Sequence, residues 1–360
     1  MCSTLLVRWD GQRAEGGNEQ ALPGLAGLVR TVRSPEFAGV TFHEVKAKSV
    51  LNKVGPSSGV PFRWTVNPYR GCSHACTYCF ARNTHTYLDF DSGRDFDTQV
   101  VVKVNAAEVL AAQLRRPSWT REHVAMGTNT DPYQRAEGRY RLMPGIIRAL
   151  AHSGTPFSIL TKGTVLGRDL PLLREVNADV PVGLGVSIAL LDRDLQRKLE
   201  PGTPSPRARL DLVRRIRDAG LPCGVFVAPV LPGLTDSTEA LGALFAEIAD
   251  AGATGVTVLP LHLRPGAREW YGRWLAAEYP ALVPRYRALY AGGSYAGSAY
   301  RRWLSERVTR LLRRHDLEHG SGSTGRERDE AERDQTRVAV PEQRLSGRTQ
   351  AQQGQQLPLL

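Results

Sequence analysis

The chain is expected to fold as an α/β protein, a parallel sheet with helices on its outside. Three observations predict this. Six strand-like runs recur between residues 62 and 263, helix-like segments follow most of them, and no solenoid-type repeat is present. Strand–helix steps in series imply a parallel sheet. Periodicity leaves the closure open, because an open doubly wound sheet and a full or partial barrel share this pattern. In either case functional residues gather at the C-terminal ends of the strands.

The strand runs are, in order, "FRWTVNPY", "HVAMGT", "FSILTK", "VPVGLGVSI", "PCGVFVAPVL" and "GVTVLPLHL". Two of the intervening segments are the clearest helices. "RARLDLVRRIRDAG" carries apolar residues at 210, 212, 213 and 216 and then a Gly stop. "STEALGALFAEIADAG" opens with a Ser/Thr cap and also ends at Gly. The chain has 360 residues, 41% of them hydrophobic, ample for one large domain or two smaller ones. The expected organisation is a partly flexible N-terminal segment over 1–40, a main α/β body over 41–264, a helical extension over 265–317 and a disordered tail over 318–360. Residues 1–25 are polar with weak periodicity. From Ser321 onward the chain is Gly, Ser, Gln, Arg and Glu with too few large apolar residues to offset its chain entropy.

No stretch reaches the roughly 18 unbroken apolar residues of a membrane span. The longest candidate, "LPCGVFVAPVLPGL", is broken by Pro and Gly, and "MCSTLLVRWDGQ" lacks the apolar region of a signal peptide. A cytoplasmic protein without a membrane partner is expected. In that compartment thiols stay reduced, so clustered cysteines point to metal rather than disulfides. The formal net charge is +11. Residues 318–360 hold six Arg and seven acids, whereas residues 261–317 hold eleven Arg and four acids, a net of +7. Two readings are open for the latter segment, solvated helix faces or a surface for nucleic acid or another polyanion. Within "RRWLSERVTRLLRR", helical spacing aligns Arg307, Arg310 and Arg314 in one stripe, with Trp303 at its start.

Three of the five cysteines, Cys72, Cys76 and Cys79, lie in "RGCSHACTYC", spaced C-x-x-x-C-x-x-C directly after the first strand. Three thiolates can bind three corners of a compact cluster. A 4Fe–4S cluster usually takes four cysteines, so three leave one iron open. Structural zinc normally wants four ligands, often as two separated pairs. His74 lies between the cysteines and would crowd the loop as a fourth ligand. Cys2 is far off at the terminus, and Cys223, at the start of a later strand, faces the opposite end of the sheet. Iron–sulfur, zinc and core cysteines are the three readings, and the spacing favours the first.

C-x-x-x-C-x-aromatic-C after the first strand, with Tyr78 as the aromatic, resembles the signature of the radical S-adenosylmethionine (SAM) superfamily. The resemblance implies an α/β fold of a particular kind, a partial (β/α)6 TIM-like barrel, so that the expected fold is that barrel with the C-terminal helical extension and disordered tail read above. It also implies a 4Fe–4S cluster whose open iron is chelated by SAM, which one electron cleaves to methionine and a 5′-deoxyadenosyl radical. A low-potential donor, flavodoxin or ferredoxin, is implied with it. "NPYRGCSHACTYCFAR", "GTNTDPYQ", "LTKGT" and "RKLEPGTPSPRARLDLVRRIRDAGLPCGVFVAPVLPGLTD" together resemble the spore photoproduct lyase-like group, most of all an actinobacterial branch, over roughly residues 40–315.

On that resemblance, Thr128, Asn129 and Thr130 of "GTNTD" stand where the superfamily meets the SAM ammonium, although Thr, Asn and Asp also favour plain capped turns. Asp131 and Tyr133 follow and are expected to face substrate. Lys162, one of only six lysines, closes the third strand and is expected to pair with the SAM carboxylate. Ser187 is expected to hydrogen-bond the ribose or carboxylate. Arg70, Arg82 and Glu200 are expected to support these groups, and His262 reads as a strand-end histidine. One departure matters. Spore photoproduct lyases carry a hydrogen-donor Cys where this chain has Thr128, and a hydroxyl O–H is far stronger than a thiol S–H. The resemblance therefore carries SAM cleavage but not thymine-dimer repair. The expected function is a radical SAM enzyme of unassigned substrate. The rivals are the same chemistry on nucleic acid, and a non-catalytic iron–sulfur or zinc nucleic-acid-binding module.

Overall fold

The structure is a computed structural model and describes residues 25, 27–55, 58 and 60–317. The expectations for residues 1–24, including Cys2, and for the tail over 318–360 lie outside the described residues. The strands are β1 (Leu28–Arg33), β2 (Thr41–Val45), β3 (Leu51–Lys53), β4 (Trp64–Val66), β5 (Tyr69–Arg70), β6 (Gln99–Lys103), β7 (Val124–Met126), β8 (Phe157–Thr161), β9 (Val182–Ser187), β10 (Gly224–Val230) and β11 (Gly255–Pro260). The helices are α1 (Arg94–Thr98), α2 (Ala106–Leu114), α3 (Arg135–Tyr140), α4 (Met143–His152), α5 (Leu170–Val176), α6 (Arg193–Leu199), α7 (Pro206–Asp218), α8 (Thr238–Asp250), α9 (Ala267–Glu278), α10 (Val283–Leu289) and α11 (Ser298–Arg314).

Each of the six strand runs contains one strand of a single sheet, ordered β11-β10-β9-β8-β7-β4-β3. β4, β7, β8, β9, β10 and β11 pair in parallel, each with the next in that series, and β3 adds antiparallel to β4. The sheet does not close, because β11 and β3 remain its edges, so the architecture is a partial barrel. The outward side chains of β9, Val182, Leu184 and Val186, enter the main core with Leu210, Val213 and Ile216 of α7 and Leu241, Leu244 and Ile248 of α8. The two Ser-led starts behave as helix caps: Ser205 accepts from the Ala208 N–H and Ser237 from the Ala240 N–H. The turn after β7 is drawn hard against β8. Gly127 has φ +88°, and an added Cβ there would stand 1.9 Å from the Leu160 carbonyl oxygen.

A second sheet, ordered β1-β2-β6-β5, was not expected. Within the segment expected to be partly flexible over 1–40, residues 28–33 form β1, which pairs with β2, and the body expected over 41–264 carries strands of this sheet beside those of the barrel. Its strands escape an apolar-run reading because they carry buried polar groups: His43, Glu44 and Lys103 are all buried within it. Its core is Phe42, Tyr69, Val100, Val102 and Ala136. β4 runs almost directly into β5, so the chain leaves the barrel, pairs Tyr69 and Arg70 against β6, and then enters the cysteine loop. The C-terminal extension is helical as expected. Leu304, Val308, Leu311 and Leu312 of α11 join the main core, and no helix among the described residues is long and apolar enough to cross a membrane.

Candidate functional site

The cysteine loop is built as a set of tight turns at the C-terminal end of β4. The Ala75 N–H donates to the Cys72 carbonyl (3.1 Å), and the Cys79 N–H to the Cys76 carbonyl (3.2 Å). Gly71, at φ +79°, admits the loop under β6, where a Cβ would stand 2.9 Å from the Gln99 carbonyl oxygen. Gln134 holds the loop from one side, donating to the Gly71 carbonyl (3.1 Å) and accepting from the Ser73 N–H (2.9 Å). The segment after α6 holds it from the other: the Thr77 N–H donates to Leu199 (2.9 Å) and the Gly202 N–H to His74 (3.0 Å). Arg82 staples its middle. This fully buried guanidinium donates to the Cys76 carbonyl (2.8 and 3.2 Å), to Gly93 (2.7 Å) and to Asp97 (2.9 and 3.0 Å), between the rings of Phe96 and Trp270.

Asp131 does different work from that expected of it. Its Oδ1 accepts from Thr161 Oγ1 (2.5 Å) and the Tyr133 N–H (2.9 Å), and its Oδ2 from the Lys162 N–H (2.6 Å). The same Oδ2 lies 3.3 Å from His74 Nδ1. Asp131 therefore ties the turn after β7 to the end of β8 and to the cysteine loop, and its lone pairs are taken. Tyr133 is fully buried and donates to Asp169 Oδ2 (3.0 Å), so it too points into the protein and not toward a substrate. Burial alone would lower the His74 pKa, but Cys72 and Asp131 outweigh it and lift the imidazole to about 10. His74 is thereby committed to Asp131.

Glu200, fully buried, is the hub of a third cluster. Its carboxylate accepts from Tyr78 Oη, from Arg209 Nη2 (2.6 Å) and from Thr203 Oγ1 (3.3 Å), and pairs with Lys162 Nζ at 3.1 Å. Lys162 also donates to Ser187 Oγ (2.8 Å) and lies 5.6 Å over the Tyr78 ring. Tyr78, Lys162, Ser187 and Glu200, drawn from the cysteine loop, the ends of β8 and β9 and the C-terminus of α6, thus meet at one place. Arg209 was missed by sequence reading. It sits on α7 among several other arginines, and only the fold brings it beneath Glu200.

The donor chemistry fits a metal cluster. Three thiols come from one buried loop, and burial pushes Cys76 well up and Cys79 to about 11, so they need a cationic centre to become thiolates. Among the described residues no group of three His, Cys, Asp or Glu side chains is arranged to hold a single metal ion. The site also has an open valence for a small polar ligand. Thr128 Oγ1 is buried with no hydrogen-bond partner. Beside Ser187, β9 turns Gly183 and Gly185 to the same face, leaving a floor between Ser158, Leu160 and Phe226. Thr130 is spent on the Tyr69 carbonyl (2.9 Å), and Asn129 lines a cleft with Asn67, Arg70 and Lys103.

The sequence profile of the radical SAM superfamily matches residues 66–244, from β4 into α8. The chain belongs to the radical SAM superfamily. Membership implies an iron–sulfur cluster and SAM. An uncharacterised protein of Mycobacterium tuberculosis (strain ATCC 25618 / H37Rv) is 63% identical over 302 residues, covering 83% of this chain and 89% of the relative. An uncharacterised protein of Methanocaldococcus jannaschii is 25% identical over 199 residues, covering 55% and 71%. Among solved structures, spore photoproduct lyase complexed with dinucleoside spore photoproduct superposes with a TM-score of 0.56 at 16% identity, covering 76% of this chain and 79% of that one. A variant of that lyase with bound SAM gives 0.55 at 18%, covering 74% and 76%. These establish the radical SAM fold for the chain.

At the periphery, the expectation for the α11 arginines changes and that for Cys223 does not. The stripe on α11 is interrupted, because Arg307 donates to the Asp236 carbonyl (2.7 Å) and lies 4.1 Å over Trp303, while Arg310 and Arg314 stay exposed. Cys223 is fully buried just before β10, at the end of the sheet away from the cysteine loop, and burial pushes its thiol up to about 12.

Proposed function

We propose that this radical SAM protein is an enzyme that binds a 4Fe–4S cluster through Cys72, Cys76 and Cys79 and cleaves SAM reductively for hydrogen abstraction from a substrate. The observation that carries the reading is three thiols on one loop at the first barrel strand, Cys72 and Cys76 buried and Cys79 half-buried, with His74 paired to Asp131 and no fourth cysteine near among the described residues. When bound, the reduced cluster supplies the electron that splits SAM to methionine and the 5′-deoxyadenosyl radical. The chain's own residues do the rest. Lys162 presents an ammonium, oriented by Glu200 and Ser187, for the carboxylate of SAM. Thr128 offers an unpartnered hydroxyl to its ammonium. Arg82 and Asp131 keep the loop in place, and the enclosing strands exclude water. A low-potential flavodoxin or ferredoxin supplies the electron.

Anaerobic reconstitution should load about four iron and four sulfide per chain. Reduction with dithionite in the presence of SAM should then yield 5′-deoxyadenosine, read by mass spectrometry. One zinc per chain with no iron uptake would overturn the reading. Lys162→Ala should weaken SAM binding by about 1.5–3 kcal/mol, the scale of a hydrogen bond to a charged group, with iron content unchanged. Unaltered SAM affinity by calorimetry would assign Lys162 to Glu200 alone.

A further inference from the structure

Phe80, the residue after Cys79, reaches across to the loop that follows β11. Its ring lies 5.4 Å from that of His262, and His262 lies 5.8 Å from Tyr295, with interplanar angles of 39° and 32°. The backbone fixes the second contact. His262 and Tyr295 form an antiparallel bridge, and the Leu263 N–H donates to Ser294 (2.7 Å). Arg264 lies 5.4 Å over the Phe80 ring, and Arg268 donates to the Gly293 carbonyl. A ladder of three rings therefore begins beside a cluster cysteine and ends at Tyr295, which is 59% exposed.

Packing does not account for that end. Tyr295 is the most exposed large hydrophobic side chain among the described residues, yet its loop is tied down by backbone bonds. Two of its three rings, His262 and Tyr295, lie within residues 261–317, whose net charge is +7. Rings in series flanked by guanidinium groups match unpaired bases, whose π-faces are open while their phosphates seek positive charge. A duplex keeps those faces stacked on one another. We propose that the Phe80–His262–Tyr295 ladder, through its exposed Tyr295 end, is a stacking platform for a base of single-stranded nucleic acid. Only the fate of that base rests on the radical SAM reading above; the binding does not.

The test uses the full chain and two fluorescein-labelled short DNA strands of equal length, one of mixed sequence and one abasic, so that phosphate charge is constant. The wild-type protein should bind the base-bearing strand more tightly. Tyr295→Ala should weaken that binding by roughly 5- to 150-fold, which corresponds to the ~1–3 kcal/mol of one stacked base. Tyr295→Phe should retain it, and neither variant should alter affinity for the abasic strand. Circular dichroism melts confirm that both variants fold. Equal wild-type affinity for the two strands, unaltered affinity in Tyr295→Ala, or a preference for duplex would each overturn the platform. Substrate-free 5′-deoxyadenosine formation, measured on the same preparations, separates the two readings. Base-dependent binding without SAM cleavage overturns the enzymatic reading alone, and cleavage without base-dependent binding overturns the platform alone.

Discussion

Glu200→Ala lowers the stability of the cluster-free protein by about 3–5 kcal/mol, the usual cost of breaking a buried ion pair by removing one partner. The carboxylate is fully buried and stands between two cations, Arg209 at 2.6 Å and Lys162 at 3.1 Å. Without it, a fully buried guanidinium and a mostly buried ammonium face each other uncompensated, and Tyr78 loses its acceptor. Burial alone would raise the Glu200 pKa, but Arg209 and Lys162 outweigh it and hold the carboxyl well below the usual range. A depressed folded pKa gives stability that is fully present above the unfolded value of about 4.3 and is lost as the pH falls through the folded value. Glu200→Gln should therefore flatten the acid limb of the stability profile. Urea titration across pH measures both effects. A loss under about 1 kcal/mol in the Ala variant would place the cluster in water-screened surroundings and refute the hub.

Replacing any one of Cys72, Cys76 or Cys79 with Ala should be all-or-none for SAM cleavage, while Cys223→Ala leaves it intact. Three ligands are the minimum that leaves one iron open for SAM, so none is spare. Iron content should fall in each of the three variants, and 5′-deoxyadenosine should drop to the level of the cluster-free protein. Cys223 has no part in this, being buried at the other end of β10. Residual cleavage near wild-type levels in a single-cysteine variant would mean that another side chain ligates, and the assignment of the three would fail.

What could be read from the chain followed physical lines. The six barrel strands were legible because each is an apolar, β-branched run bounded by Gly or Pro, and most precede a clear helix. The second sheet was not, because its strands bury charge: Glu44 is satisfied by Arg30 (2.7 Å) and Lys103 by the Asn67 carbonyl (2.9 Å), partners that no local pattern announces. The cysteines were legible from spacing alone. Asp131 was misread because a carboxylate in a polar turn at a strand end has the same sequence appearance whether it faces a ligand or collects backbone N–H groups. Arg307 shows the same limit on a helix. Periodicity fixes which arginines align but not that the Asp236 carbonyl takes one of them.

The passage of the chain from β4 through β5 into the cysteine loop has a consequence for modularity. The stretch matched by the superfamily begins at residue 66, beyond β1, β2 and β3. Yet the loop is threaded through β5, β5 is held by β6, and β6 is held by β2. The matched stretch is therefore not a separable unit here. A chain trimmed to start just before β4 would keep Cys72, Cys76, Cys79 and Cys223 and all six parallel strands, and would lose β2, the neighbour that keeps β6, and through it the loop, in register. The extra sheet is the foundation on which the loop is laid, with β1 and β2 upstream of the matched stretch and β5 and β6 on either side of the loop itself.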